Sequence, residues 1–98
     1  MSNPIKFVSG VVLDESVQFT LVELCCLCES NAEYIIELVD EGLLEPEGAS
    51  TPDWRFDSRA LTRLQKTIHL QRDLRINLAG AALVLDLLDE VEELRRKF

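Results

Sequence analysis

The sequence predicts one mainly α-helical domain of four helices, with a short extended arm before them and a small wing in the middle. Three observations lead to this fold class. Signals for helix starts recur along the chain, apolar residues recur at helical spacing, and residues 43–53 are rich in proline, glycine and serine. The chain has 98 residues, of which 47% are hydrophobic and 29% charged, so we expect one folded domain and no second.

The first 28 residues predict an arm followed by a short helix. Residues 5–13 are rich in valine, isoleucine and phenylalanine, which favours a short strand or an extended arm. Thr20 and Glu23 then have the spacing of a capping box, in which each side chain accepts a hydrogen bond from a backbone amide at the helix start. We expect this first helix to end near Cys28.

A second short helix is predicted after a turn around residues 28–30. Ser30 and Glu33 repeat the capping-box spacing. Gly42 ends the helix, because glycine readily adopts the left-handed conformation just past a helix end. Two short helices joined by a tight turn resemble a helix-turn-helix unit. The apolar residues at helical spacing in the second helix are Ile35, Leu38 and Val39.

Residues 54–56 are expected to close a small wing that leads into a long third helix. Asp57 or Ser58 is the expected cap of this helix. Trp54 is expected to pack in the wing against the core, with a role as a binding anchor as the alternative. Phe56 is expected in the core. The inner face of the third helix carries Leu61, Leu64 and Ile68.

A fourth helix is predicted from a cap at Asn77 to Lys97. Its apolar residues occur on more than one face, which is wider than a single core contact requires. We therefore expect a homodimer through this helix, the alternative being that it folds back over the first two helices. The domain of residues 1–98 then comprises a winged core at 18–75 and a dimerisation helix at 77–98. The expected dimer contacts are Val84, Leu87, Leu88, Val91 and Leu94.

Charge is distributed unevenly along the chain. The net charge of −8 divides into −10 over residues 1–54, +4 over residues 55–75 and −2 over residues 76–98. The acidic half opposes nucleic acid and favours a basic partner. Four carboxylates share one side of the second helix at i, i+4, i+7 and i+8, and we expect them to bind a partner rather than form an ordinary solvated face. They are Glu33, Glu37, Asp40 and Glu41.

Three segments of the chain resemble the MerR-type winged helix-turn-helix: FTLVEL at residues 19–24, EGLLEP at 41–46 and WRF at 54–56. A closer similarity is to the CbpM-like chaperone modulators of that superfamily. It covers residues 18–96, and the order and spacing of its segments are more specific than any one of them. These segments are GLLEP at 42–46, DWRFD at 53–57, LQRDL at 70–74, NLAGAAL at 77–83 and LLDE at 87–90.

The resemblance implies an adaptor rather than an enzyme. CbpM-like proteins bind the J domain of a CbpA-type, DnaJ-like co-chaperone, block its stimulation of an Hsp70 and reduce its DNA binding. J domains display a basic helix, which an acidic helix face can contact. The expected contacts are therefore Glu33, Glu37, Asp40, Glu41 and Trp54. The implied role needs no cofactor, no DNA site and no membrane.

Two other functions remain as alternatives. A MerR-type DNA-binding transcriptional regulator would use Arg55, Arg59 and Arg63, although an acidic second helix would bring carboxylates close to phosphates in the major groove. A dimeric scaffold with an unrelated basic partner is the other. Arg59, Arg63 and Lys66 fall on one face of the third helix. We expect this basic stripe to be solvated, or paired with acidic residues of the same or a second subunit.

The sequence predicts neither catalytic residues nor a metal site. It has one histidine and no glycine-rich phosphate loop. Cys25, Cys26 and Cys28 lack a nearby fourth zinc ligand, so we expect buried or half-buried structural thiols. Clustered cysteines of this kind suit a reducing compartment. With no apolar run long enough to span a bilayer and no signal segment at the N-terminus, a cytoplasmic protein is expected.

Overall fold

The computed structural model describes residues 17–97. The arm expected at residues 5–13 lies outside this range. The described part has the order of a winged helix-turn-helix and is mainly α-helical, so the predicted fold class is confirmed. Its elements are strand β1 at Gln18–Thr20, helix α1 at Leu21–Cys28, helix α2 at Ala32–Asp40, a 3₁₀ turn at Thr51–Asp53, strand β2 at Arg55–Asp57, helix α3 at Ser58–Leu74 and helix α4 at Leu78–Lys97.

The two strands form a short antiparallel ladder that closes the wing. Phe19 of β1 lies opposite Phe56 of β2, and both are buried. The loop adds a bridge between Glu47 and Arg55, with backbone hydrogen bonds of 2.9 Å in both directions. The wing at residues 54–56 therefore forms as predicted. Strand β1 is not predicted from the sequence, because three residues are too few to show an alternating pattern.

Side-chain caps start three of the helices as predicted. The Thr20 hydroxyl accepts from the Glu23 backbone N–H at 3.1 Å, and the Glu23 carboxylate accepts from the Thr20 backbone N–H at 2.8 Å. This is a complete capping box at α1. Asp57 caps α3 and Asn77 caps α4, since each side chain accepts from the third backbone amide of its helix, at 2.8 Å and 2.7 Å.

Helix α2 begins one residue later than predicted. Its N-cap is Asn31, whose side-chain oxygen accepts from the Tyr34 backbone N–H at 2.8 Å. The prediction of Ser30 as the cap is wrong, because Ser30 still belongs to the end of α1 and donates its N–H to the Cys25 carbonyl. At the other end Gly42 has a φ of +80°, which confirms its predicted role in ending the helix.

The hydrophobic core lies where α1, α2, α3 and the wing meet. The inner faces predicted for α2 and α3 are confirmed: their buried residues include Ile35, Leu38, Leu61 and Leu64. Phe56 is fully buried, also as predicted. Burial of a leucine or phenylalanine side chain stabilises the fold by about 1.5–3 kcal/mol. The full cluster is Phe19, Leu24, Cys28, Ile35, Leu38, Leu43, Leu44, Phe56, Ala60, Leu61, Leu64 and Leu85.

Helix α4 packs chiefly against α3, with its N-terminal half. Ala81 and Leu85 are buried, and Leu78 and Ala82 are half-buried against the core. The main contact of α4 is thus with α3, and not with α1 and α2 as the alternative to dimerisation expects. Residues 90–97 are exposed along their whole length. The helix thus extends beyond the part of the chain that covers it.

Two turns hold a side chain in the left-handed backbone region. Glu29, the C-cap of α1, has a φ of 50°, and Arg75, after α3, has a φ of 54°. A residue with a Cβ is strained there by about 1–2 kcal/mol. Glycine avoids this strain but loses more conformational entropy on folding.

Replacing Glu29 by glycine should therefore raise the free energy of unfolding by about 0.5–1 kcal/mol, measured by chemical denaturation. Glu29→Ala is the matched control, because it removes the same carboxylate but keeps the Cβ. It should leave stability close to that of the unmodified protein. Equal stability of the glycine and alanine variants would contradict a strained turn at this position.

Candidate protein-interaction surfaces

The four carboxylates predicted to bind a partner form one continuous surface. Helix α2 places Glu33, Glu37 and Asp40 three and four residues apart, and Glu41 follows as the C-cap. All four are exposed, whereas the opposite side of the helix carries buried leucine and isoleucine. We name these four residues the acidic strip. It covers the outer face of α2 over the full length of the helix.

The acidic strip lowers the stability of its own helix. None of the ion pairs within residues 17–97 involves it, and the last turn of α2 contains no basic residue. Asp40 and Glu41 lie at the negative end of the helix dipole, where a carboxylate is unfavourable by about 0.3–1 kcal/mol. Like charges at i, i+4, such as Glu33 and Glu37, are unfavourable by roughly 0.2–0.5 kcal/mol. A basic partner would relieve both repulsions.

Trp54, the fifth predicted contact, lies in the wing. Its ring meets that of Phe56 edge-to-face, with 6.0 Å between ring centroids and an angle of 85°. It is half-buried and packs against the hydrophobic core. Such pairs contribute about 0.5–1.5 kcal/mol beyond area burial. Trp54 therefore has the core-packing role that the sequence analysis expects, and the rest of its side chain remains open to solvent.

An uncovered apolar face on α4 contains the residues predicted for a dimer. We name it the apolar seam: Val84, Leu87, Leu88, Val91 and Leu94. Val84 is half-buried, and the other four are 44–54% exposed. At 100° per residue the seam is centred about 100° around the helix from the buried Ala81 and Leu85, with Leu88 at its border with the buried face. Although α4 has 20 residues, no helix in the described range is long and apolar enough to cross a membrane.

The basic stripe on α3 is largely occupied by carboxylates of α4. Arg63 donates to Asp89 at 2.7 Å and lies 3.8 Å from Asp86, while Arg59 lies 3.6 Å from Asp89. Arg63 also donates to the Leu43 carbonyl at 2.8 Å, and its side chain is only 15% exposed. Two of the three bases, Arg59 and Arg63, thus pair with aspartates of the same subunit. Arg63 is therefore mostly buried and already bonded within the subunit.

The carboxylates that pair with the basic stripe were not predicted from the sequence. Asp86 and Asp89 are spaced i, i+3 on α4, and Arg59 and Arg63 are spaced i, i+4 on α3, so the acids and the bases each match the spacing of one helix face. The match is a signal that the sequence contains, but it becomes specific only once the helices are known to be neighbours. A second missed contact is the hydrogen bond of 2.5 Å that the Tyr34 hydroxyl donates to Gln71 of α3. Burial, and then the negative charge of Glu37, raises the pKa of Tyr34.

The three cysteines of α1 differ in exposure. Cys28 is buried and Cys25 half-buried as expected, but Cys26 is exposed, so the expectation is wrong for Cys26. The reason is helical geometry, because adjacent residues on a helix point 100° apart. Burial, and then the neighbouring Cys25, raises the pKa of Cys28 to about 11. Within residues 17–97 no three metal-ligating side chains converge on a common site.

Comparison with known proteins identifies the class of domain to which this fold belongs. The family model described as MerR HTH family regulatory protein matches residues 19–98. This range contains both helices of the helix-turn-helix, the wing and α4. The fold and this match define a helix-turn-helix domain of the MerR type.

The curated relatives narrow the class further. A chaperone modulatory protein CbpM of Coxiella burnetii is 37% identical over 92 residues, which are 94% of this chain and 87% of that protein. Proteins of the same name from Pseudomonas entomophila and Pseudomonas putida are each 38% identical over 79 residues, 81% of this chain and 78% of theirs. The chain therefore belongs to the CbpM chaperone modulatory proteins of the MerR helix-turn-helix family.

The exposure of the cysteines predicts an order of reactivity. Because the thiolate is the reacting species, Cys26 should be alkylated first at pH 8, and Cys28 should be protected in the folded protein. Iodoacetamide labelling followed by peptide mass spectrometry measures the order. In denaturant the three thiols should react at similar rates. Rapid labelling of Cys28 in the native protein would contradict its burial.

Proposed function

We propose that this protein is a cytoplasmic adaptor that binds the J domain of a CbpA-type, DnaJ-like co-chaperone. By occupying the J domain it inhibits the co-chaperone's stimulation of Hsp70 and its DNA binding. The names of the curated relatives support a chaperone-modulating role. They are names of regulators rather than enzymes. The observation that carries the proposal is the acidic strip, an exposed and unpaired carboxylate surface on the helix where a DNA-binding relative would carry its base-reading residues.

The proposed contact is electrostatic at long range and apolar at its centre. Opposite charge on a basic J-domain helix speeds association and selects the partner, while apolar anchors supply much of the affinity. Trp54 is a candidate anchor, since tryptophan is enriched among residues that dominate interface energies. Binding of this kind weakens as salt rises, because the facing charges are screened beyond about 8 Å at physiological ionic strength.

We propose further that the apolar seam joins two copies of this chain. Val84, Leu87, Val91 and Leu94 alternate in steps of three and four residues, the spacing of a two-helix coiled coil. With the neighbouring Leu83, the seam leaves on the order of 400 Å² of apolar side chain per subunit in water, the size of the largest patch on a typical monomer, which is often functional. A standard interface buries about 800 Å² per partner, so the seam would form its apolar centre. The charged residues beside it would form the rim.

The charge of the acidic strip provides the direct test of J-domain binding. Glu37→Lys combined with Asp40→Lys should weaken binding to an isolated CbpA-type J domain by more than tenfold in calorimetry. The same variant should be as stable as the unmodified protein or more so, because lysine at the end of α2 is favourable for the helix dipole. Opposite effects on binding and on stability separate a contact surface from a merely structural one.

A matched control uses two exposed carboxylates of α4. Glu90→Lys with Glu92→Lys changes the net charge by the same amount away from the acidic strip. It should change J-domain affinity by less than threefold. If both double variants weaken binding equally, net charge and not the acidic strip determines it. Unchanged affinity of the α2 variant would move the contact elsewhere, and a gel-shift of the same proteins on DNA would then test the regulator alternative.

The dimer has its own test at the centre of the seam. Leu87→Asp should convert the protein to a monomer, because it would bury an unpaired charge between the two helices. Sedimentation at several protein concentrations measures the change. Leu74→Asp is the control, since Leu74 is 64% exposed at the end of α3 and outside the seam. A monomeric unmodified protein, or equal effects of the two variants, would contradict the seam as the interface.

A further inference from the structure

One side chain links the two surfaces on which the proposed function depends. Arg63 of α3 donates from Nε to the carbonyl oxygen of Leu43 at 2.8 Å and from Nη1 to Oδ2 of Asp89 at 2.7 Å. Its Nη2 lies 3.8 Å from Oδ1 of Asp86. Leu43 lies three residues beyond the end of α2, whereas both aspartates belong to α4. The guanidinium therefore connects the end of the acidic helix to the helix that carries the seam.

The fixed geometry of the guanidinium makes this contact sensitive to the relative position of the two segments that it joins. A guanidinium is planar and presents its donors in a fixed fork, so its hydrogen bonds to Leu43 and to Asp89 constrain each other. Bonds between charged groups are shorter and about twice as strong as neutral ones. Only 15% of the Arg63 side chain is exposed, so water competes weakly for it. A small rotation of α4 therefore acts on the Leu43 carbonyl through one rigid group.

Leu43 and Asp89, which Arg63 connects, lie where a shift of either would move the acidic strip or the apolar seam. The Leu43 N–H donates to the Leu38 carbonyl at 2.9 Å, so the position of Leu43 is tied to the last turn of α2. Asp40 and Glu41 of the acidic strip lie in that turn and its cap. On α4, Asp89 lies away from the seam at 100° per residue. The Asp89 contact thus fixes how α4 is rotated, and hence how the seam is presented.

We propose that Arg63 is a positioning residue that couples partner binding at the acidic strip to dimerisation through the apolar seam. Dimerisation through the seam restricts the rotation of α4 and so keeps Asp89 on Arg63, and Arg63 holds the end of α2 in the geometry that the partner contacts. The dimer therefore binds the partner more tightly than the monomer. By linkage the partner tightens the dimer by the same factor. This inference rests on the proposed function, because it concerns how the two proposed surfaces act together.

Binding measurements on four proteins test the coupling. They are the unmodified chain, Leu87→Asp, Asp89→Asn, and the double variant with both substitutions. In the unmodified background Leu87→Asp should lower affinity for an isolated CbpA-type J domain by about fivefold or more, a usual size for such coupling. In the Asp89→Asn background the same change should alter affinity by less than twofold. An equal loss in both backgrounds would overturn the coupling.

A second measurement tests the link without any partner. Asp89→Asn should speed hydrogen exchange at the Gly42 and Leu43 amides by at least about fivefold, although the substitution lies on another helix. Glu90→Gln is the matched control, because Glu90 is the adjacent exposed carboxylate and forms none of the hydrogen bonds or ion pairs of Arg63. Arg63→Lys should reproduce the Asp89→Asn effect, since an ammonium cannot replace the fork.

The outcomes distinguish a failed link from a failed function. Equal exchange in Asp89→Asn and Glu90→Gln overturns the link, whatever the protein binds. Faster exchange in Asp89→Asn, with no J-domain binding by the unmodified chain, leaves the link intact but overturns the proposed partner and with it the coupling. Faster exchange together with background-dependent binding supports the whole inference.

Discussion

The short ladder between β1 and β2 is the constraint on which the rest of the fold depends. It places Phe19 against Phe56 in the core, and each strand runs without a break into a helix. Because the strands are antiparallel, α1 and α3 leave the ladder at opposite ends. The capping residues Thr20 and Asp57 therefore belong to a strand and to a helix start at once. This fixes the frame in which α2 packs its apolar side inward and presents its acidic strip outward.

A second feature of the structure is the contrast between the outward faces of α2 and α4. The acidic strip of α2 consists of exposed carboxylates without cationic partners in the described residues, and the apolar seam of α4 consists of leucines and valines that nothing in that range covers. Each arrangement is unfavourable for an isolated subunit: the first by repulsion, the second by exposure of apolar surface to water. Both are relieved by association, the first with a basic partner and the second with another apolar helix. Arg59 and Arg63 of α3 do not compete for the role of basic partner, because they already face aspartates of α4.

Much of this could be predicted from the sequence because the signals are local. The caps at Thr20, Asp57 and Asn77 and the glycine after α2 are each specified within a few residues, and each forms in the structure. The predicted position of the α2 cap was wrong by one residue. Ser30 and Asn31 are both residue types that cap helices well, and Asn31 is the cap because the Ser30 N–H is still bonded to the end of α1. The acidic strip follows from helical spacing alone, and all four of its residues are exposed. What the sequence could not show is non-local, namely the pairing of β1 with β2 and the docking of α4 on α3.

The central claim is that the acidic face binds a basic J domain, and one titration of the unmodified protein tests it most directly. The purified chain is titrated into an isolated CbpA-type J domain by calorimetry, at two salt concentrations. We predict micromolar or tighter binding that weakens clearly at the higher salt, as expected when opposite charges face each other across an interface. No detectable complex at low salt, with the protein shown to be folded, would contradict it. Binding that is indifferent to salt would also contradict it, because the acidic strip would then not be the contact.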